Sequence, residues 1–210
     1  MINNICLTED ERQYIIGGKH YSRISDIAGA GDKSFLKKWR EKVGEVEADR
    51  ITKEAGDYGT MVHEITMWSD MKKPKKVEAI LKKNEFLFPT LLSWDEWVRQ
   101  YIKEWIAIEQ IVWSNKLRCA GRIDRVGIMV GDKSPSIIDL KTGGMWDTIG
   151  VQLAGYLVLY NEKAKKKAHR RLAISLPRKE PGKLSVKEFT EEKFVEEFKY
   201  KAELFRSMNQ

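Results

Sequence analysis

The chain has 210 residues, of which 42% are hydrophobic and 33% charged, with a formal charge of +7. That composition suits a globular fold with an apolar core. The absence of a long uncharged apolar run excludes an ordinary membrane-spanning helix. The basic surplus favours an anionic partner such as nucleic acid.

The N-terminal stretch MINNICLTEDERQ carries early acids and no apolar block, so it does not read as a secretory signal, and a cytoplasmic location is expected. The first twenty residues read as a weakly ordered lead-in. From Asp32 to Gly44 the spacing predicts an amphipathic helix with Phe35, Leu36, Trp39 and Val43 on one face and Gly44 at its C-terminus. A second helix is expected over 45–55. Gly56 should break it, and Asp57 should cap a third helix running to Asp70. Pro74 in the basic segment MKKPKK can open a short helix. Ser93 and Glu96 have capping-box spacing, ahead of a helix bearing Trp94, Trp97, Val98, Tyr101, Ile102 and Trp105. Core packing is the simplest role for that aromatic face, since base stacking needs exposed rings.

The period changes at Ala107. Residues 106–113, 117–130 and 136–141 read as three Ile- and Val-rich strands, separated by turns at 114–116 and 131–135. A helix follows over 147–163, then a hairpin of 169–177 and 183–189 around Pro181-Gly182, then a helix over 191–207. The expected fold is α/β: one mixed sheet of about five strands flanked by helices, with a mainly helical part over 1–106, a sheet core over 107–190 and a closing helix, all in one domain.

The segment SIIDLKTGG (136–144) interrupts an apolar strand with Asp139 and Lys141. Two residues apart on a strand, they share a face, with Leu140 on the other. Asp124 lies on the preceding strand and can approach Asp139 if the two pair through the 131–135 turn. Adjacent carboxylates repel unless a cation lies between them, and oxygen ligands suit Mg²⁺ or Mn²⁺. The pattern alone fits an ordinary cross-strand ion cluster equally well.

The wider arrangement resembles the RecB-like branch of the PD-(D/E)XK nuclease superfamily. Five elements occur in that branch's order: G59-T-M-V-H63, Glu109, G121-R-I-D124, D139-L-K141 and Q152-L-A-G-Y156. A looser likeness begins near Tyr21-Ser22-Arg23-Ile24-Ser25 and reaches about Tyr160. The resemblance implies a restriction-endonuclease-like fold and a Mg²⁺- or Mn²⁺-dependent deoxyribonuclease using one or two ions. It makes His63, Asp124, Asp139, the Leu140 carbonyl and Glu109 metal ligands. Lys141 becomes the residue that positions or deprotonates water, with burial and metal charge favouring its neutral form. Gln152 and Tyr156 sit beside the centre, and Gly59, Arg122 and Thr142 sit near phosphate. For His63 the plain alternative is a satisfied helix histidine; for Glu109, a surface strand glutamate; for Gln152 and Tyr156, helix packing.

Two basic zones stand out. One is Lys33, Lys37, Lys38, Arg40 and Lys42, interleaved with Ser34 and Trp39; the other is KAKKKAHRR (163–171). Solvated faces are the plain reading of both. By analogy with phage and mitochondrial genome maintenance single-strand exonucleases, the first zone would arch over a DNA strand. Only two cysteines are present, Cys6 and Cys119, so no iron–sulfur cluster is expected, and both should be free thiols. No nucleotide-binding GxxxxGK[ST] occurs. The resemblance thus points to an exonuclease on single-stranded DNA or DNA ends in phage or bacterial replication, recombination or repair, with replisome or recombination proteins as partners and no membrane. A structure-selective endonuclease and a non-catalytic DNA-binding accessory protein are the alternatives.

Overall fold

The computed structural model of the chain describes residues 5–7, 13–31 and 33–208. Asp32 and the side chain of Cys6 lie outside them, so neither the expected helix start at Asp32 nor the Cys6 thiol is addressed below.

The stretch expected as a loose lead-in is a three-stranded meander. Strands β1 (Ile5–Leu7), β2 (Gln13–Ile16) and β3 (Lys19–Arg23) pair antiparallel, with β2 and β3 joined by Gly17-Gly18. Both glycines have positive φ, 57° and 75°, the backbone that a two-residue hairpin matching strand twist requires. The segment before residue 106 is therefore helical only after a strand opening.

A short helix α1 (Ile24–Ala28) follows, then α2 (Ser34–Val43), α3 (Glu45–Asp70), α4 (Pro74–Leu81) and α5 (Phe88–Tyr101). The amphipathic face expected of α2 meets no core: α2 buries no residue, and Phe35 is 68% exposed. The expected break at Gly56 does not occur, because α3 runs unbroken for 26 residues. A helical glycine costs about 1 kcal/mol relative to alanine. Burial of Ala48, Tyr58, Val62 and Ile65 offsets that, as do ion pairs of Arg50 with Glu47 and Glu54 and of Lys53 with Asp57 across the glycine. Ser93 is not a cap either. Helix α5 begins five residues earlier, beside Pro89, and the Ser93 hydroxyl donates to the Thr90 carbonyl at 2.9 Å.

The aromatic periodicity that seemed to carry this helix to Trp105 spans a junction. Strand β4 (Ile102–Ser114) begins directly after α5, with register shifts between Ile102 and Glu104 and between Trp105 and Ala107. Those irregularities break the alternation of a strand and imitate helical spacing. Strands β5 (Cys119–Met129) and β6 (Pro135–Lys141), helix α6 (Asp147–Lys163), β7 (Arg170–Ser175), β8 (Ser185–Glu188) and α7 (Lys193–Met208) follow close to expectation.

The strands form one mixed sheet of eight, in the order β1-β2-β3-β5-β6-β7-β8, with β4 on β5, rather than about five. Strands β4, β5 and β6 run antiparallel, and β6 and β7 are parallel across α6. One apolar cluster joins α1, α6 and α7 to Ile123 and Ile137; another joins α3 and α5 to Ile138, Leu140, Leu172 and Ile174. Leu140 thus points away from the face that carries Asp139 and Lys141. This is the α/β architecture with a helix-covered mixed sheet expected of a restriction-endonuclease-like fold. Among the described residues, no helix is long and apolar enough to cross a membrane.

Gly121 marks where the layers meet most closely. A Cβ there would lie 2.7 Å from Tyr156 Cε1 and 2.9 Å from Ile24 Cδ1. Both neighbours are buried, so neither can swing away. Gly121→Ala should cost about 1–3 kcal/mol, read as a lower urea midpoint with an unchanged slope.

Candidate metal-dependent active site

Three strands place acids in one row. The pairs Ile108 with Arg125 and Gln110 with Ile123 set Glu109 opposite Asp124, and Arg125 with Ile138 sets Asp124 beside Asp139. Glu109 has φ of 54°, a left-handed conformation costing on the order of 1–3 kcal/mol outside glycine. It departs from regular strand geometry where the row begins, while the ladder continues on both sides.

The acids are held by specific partners. Asp124 Oδ2 accepts the Leu140 backbone N–H at 2.7 Å, and its Oδ1 lies 3.5 Å from His63 Nδ1, delivered by α3. Lys141 Nζ stands 2.6 Å from Asp139 Oδ2 and donates to Gln152 Oε1 at 3.2 Å. Gln152 Nε2 donates in turn to the Tyr156 hydroxyl at 2.9 Å. Glu109 pairs with Arg122 at 3.0 Å and with Arg125 at 3.1 Å. Asp124, Asp139, Lys141, Gln152, Tyr156, His63 and Arg122 line one cleft of about 270 Å³. A second cleft continues past His63 and Arg122 to Gly59, Thr142 and Glu109. Gly59 leaves room for Thr142, whose hydroxyl would lie 3.2 Å from a Cβ on the helix.

Charge states follow from this packing. Burial pushes Asp124 up, but His63 and Lys141 outweigh it and hold its carboxyl below the usual range. Burial raises Asp139, and the neighbouring Asp124 adds to that. Asp124 raises the His63 imidazole despite burial. The sequence reading put Lys141 toward its neutral form. Burial does act that way, but Asp139 and Asp124 outweigh it and hold the ammonium above its ordinary value.

Ligand atoms of His63, Glu109 and Asp124 all lie within 4.8 Å of one another, as a shared cation requires. Asp139 Oδ2 is buried, and the Lys141 ammonium lies 2.6 Å from it. An imidazole and a row of three carboxylates suit a divalent cation.

Ser34, Lys37, Lys38 and Trp39 line neither cleft. The second basic zone is largely committed elsewhere. Lys163 lies over the Trp113 ring, Arg170 pairs with Asp132 and Glu188, and Arg171 is buried. Sequence reasoning missed Arg125 and Asp70. Arg125 is fully buried on β5, donates to Asp70 Oδ2 at 2.6 Å and also reaches Glu109, the Asp124 carbonyl and Thr66. The signal was present in GRIDRVG (121–127), where Arg125 is a third charge in an apolar strand, after Arg122 and Asp124.

No curated protein matches the chain at a significant level. The family model of the PD-(D/E)XK nuclease superfamily matches residues 34–210, a span that includes His63 and all three acids of the row. With that match over most of its length, the chain belongs to the PD-(D/E)XK nuclease superfamily.

Proposed function

We propose that the chain is a Mg²⁺- or Mn²⁺-dependent deoxyribonuclease acting as an exonuclease on single-stranded DNA or DNA ends, in replication, recombination or repair. The observation that carries this is the meeting of Asp124, Asp139 and Lys141 with His63 and Gln152 at one cleft, with Glu109 in the adjoining cleft and within ligand distance of His63 and Asp124. Asp124, Asp139, Glu109, His63 and the Leu140 carbonyl would hold one or two divalent ions. Bound there, the ion supplies charge stabilisation at the scissile phosphate and acidifies the attacking water.

The chain's own groups do the positioning. Lys141, beside Asp139, would hold the attacking water and orient its oxygen toward phosphorus. Gln152 fixes Lys141 Nζ, and the Tyr156 hydroxyl fixes the Gln152 amide. Arg122, with a half-exposed side chain between the two clefts, donates to a non-bridging phosphate oxygen. A new P–O bond forms from water as the P–O3′ bond breaks, which leaves a phosphate monoester and a 3′-hydroxyl.

End-labelled linear and circular DNA, single- and double-stranded, incubated with Mg²⁺ or Mn²⁺, tests the proposal. Loss of linear DNA alone supports an exonuclease, and the label lost first gives its polarity. Cleavage of circles would make the protein an endonuclease, and binding without cleavage would make it an accessory protein. Cation binding has its own readout. At a hundredfold excess over Kd, Mn²⁺ should add about 2.7 kcal/mol of stability. For a chain of this size that raises Tm by roughly 5–10 °C. Asp124→Asn should abolish the rise in a thermal melt.

A further inference from the structure

We propose that Phe35 of α2 and Trp146, the residue before α6, form a stacking platform for unpaired nucleobases of the strand whose phosphodiester lies at Lys141. The inference rests on the nuclease reading above and adds a base-binding subsite to it.

Stacking needs exposed rings, and the tryptophans of the 93–105 segment fail that test: Trp94 and Trp97 are buried against each other, with centroids 5.4 Å apart. Phe35 and Trp146 meet it. They are 68% and 66% exposed, and their centroids lie 6.5 Å apart at an interplanar angle of 42°. They come from distant parts of the chain, yet each leaves a face to solvent. The indole folds over the loop backbone: a Cβ on Gly144 would meet its ring at 2.9 Å. That close packing positions the ring before any ligand arrives.

Trp146 is close to the site along the chain. Residues 142–146 lead directly from Lys141, so Trp146 lies no more than about 18 Å from it along the chain. Thr142, the first residue of this loop, lines the second cleft. The surroundings suit a polyanion: Lys33, Lys37 and Lys38 flank Phe35, are exposed and form no ion pair with an acid among the described residues. Arg40 is different, being engaged by Glu45 and Asp49. Bare rings set among lysines favour bases on a phosphate strand over an apolar protein face.

The test measures binding by fluorescence anisotropy in EDTA, using a labelled single-stranded oligonucleotide, an abasic oligonucleotide of equal length and a duplex. The proteins are wild type, Phe35→Ala, Trp146→Ala and Trp146→Phe, each checked for an unchanged melting temperature. Trp146→Ala and Phe35→Ala should each weaken binding of the intact strand about tenfold, with Trp146→Phe recovering most of the loss. Neither should alter binding of the abasic strand or the duplex. Equal loss on intact and abasic strands, no loss at all, or self-association that Trp146→Ala abolishes would overturn the platform. Cleavage assays on the same preparations keep the two readings apart. A wild type that cleaves but binds bases indifferently sinks the platform alone. A wild type that never cleaves sinks the nuclease reading, while the binding data still decide the platform.

Discussion

Asp139→Ala and Lys141→Ala should each reduce DNA cleavage by at least about 10³-fold while leaving single-strand binding within a few-fold of wild type. The size follows from what each group does. A single preorganised donor aimed at developing charge contributes on the order of 10²–10³. Asp139 is, on the proposed reading, both a cation ligand and the anchor of Lys141, so its loss removes more than one interaction. Lys141 is held on one side by Asp139 and on the other by Gln152, which in turn is fixed by Tyr156. Gln152→Ala should therefore cost less than Lys141→Ala, because it loosens the ammonium without deleting it. Single-turnover hydrolysis of end-labelled DNA, paired with anisotropy in EDTA, separates chemistry from binding. Full activity in either Asp139→Ala or Lys141→Ala would overturn the assignment.

The site was more legible in the sequence than the frame around it, and particular residues show why. Asp139 and Lys141 were readable because a charge within Ile- and Val-rich strand sequence needs a local cause, and period two fixes which side chains share a face. The pairing of Asp124 with Asp139 followed from a five-residue turn between two strands. The N-terminal meander escaped because Gln13–Ile16 and Lys19–Arg23 are too short to show alternation, although Gly17-Gly18 between them carried a hairpin signal. At Gly56 local propensity was weighed without the tertiary burial that overrides it, and at Trp105 the register shifts of β4 counterfeited helical spacing. The exposure of Phe35 was illegible for a deeper reason. An amphipathic pattern reports that a face is apolar, not whether another element covers it. The balance on Lys141 between burial and two neighbouring carboxylates depends on distances that only the fold sets.

Asp70→Ala should destabilise the fold by about 3–5 kcal/mol. Arg125 is buried with no exposed side-chain surface, and its acidic partners are Asp70, with Oδ2 at 2.6 Å, and Glu109 at the site's edge. Removing one partner of such a pair leaves an uncompensated charge in a medium that solvates it poorly. The same carboxylate also accepts the indole N–H groups of Trp94 and Trp105, at 3.2 and 3.1 Å, which would be left without an acceptor. Burial already raises Asp70, so the pair exists against a desolvation cost and is not simply a favourable bond. That cost makes the double variant informative. Asp70→Leu with Arg125→Met removes both charges together and should recover much of the stability lost in Asp70→Ala, as judged by urea midpoints. It should not recover the geometry of the acid row. Arg125 ties α3, which delivers His63, to β4, where Glu109 sits in a left-handed conformation, and to the Asp124 carbonyl on its own strand. The double variant should therefore fold and still show a weakened Mn²⁺-induced rise in Tm. A double variant with a wild-type rise would show that the buried pair supports the fold alone, and that the row of acids holds its geometry without it.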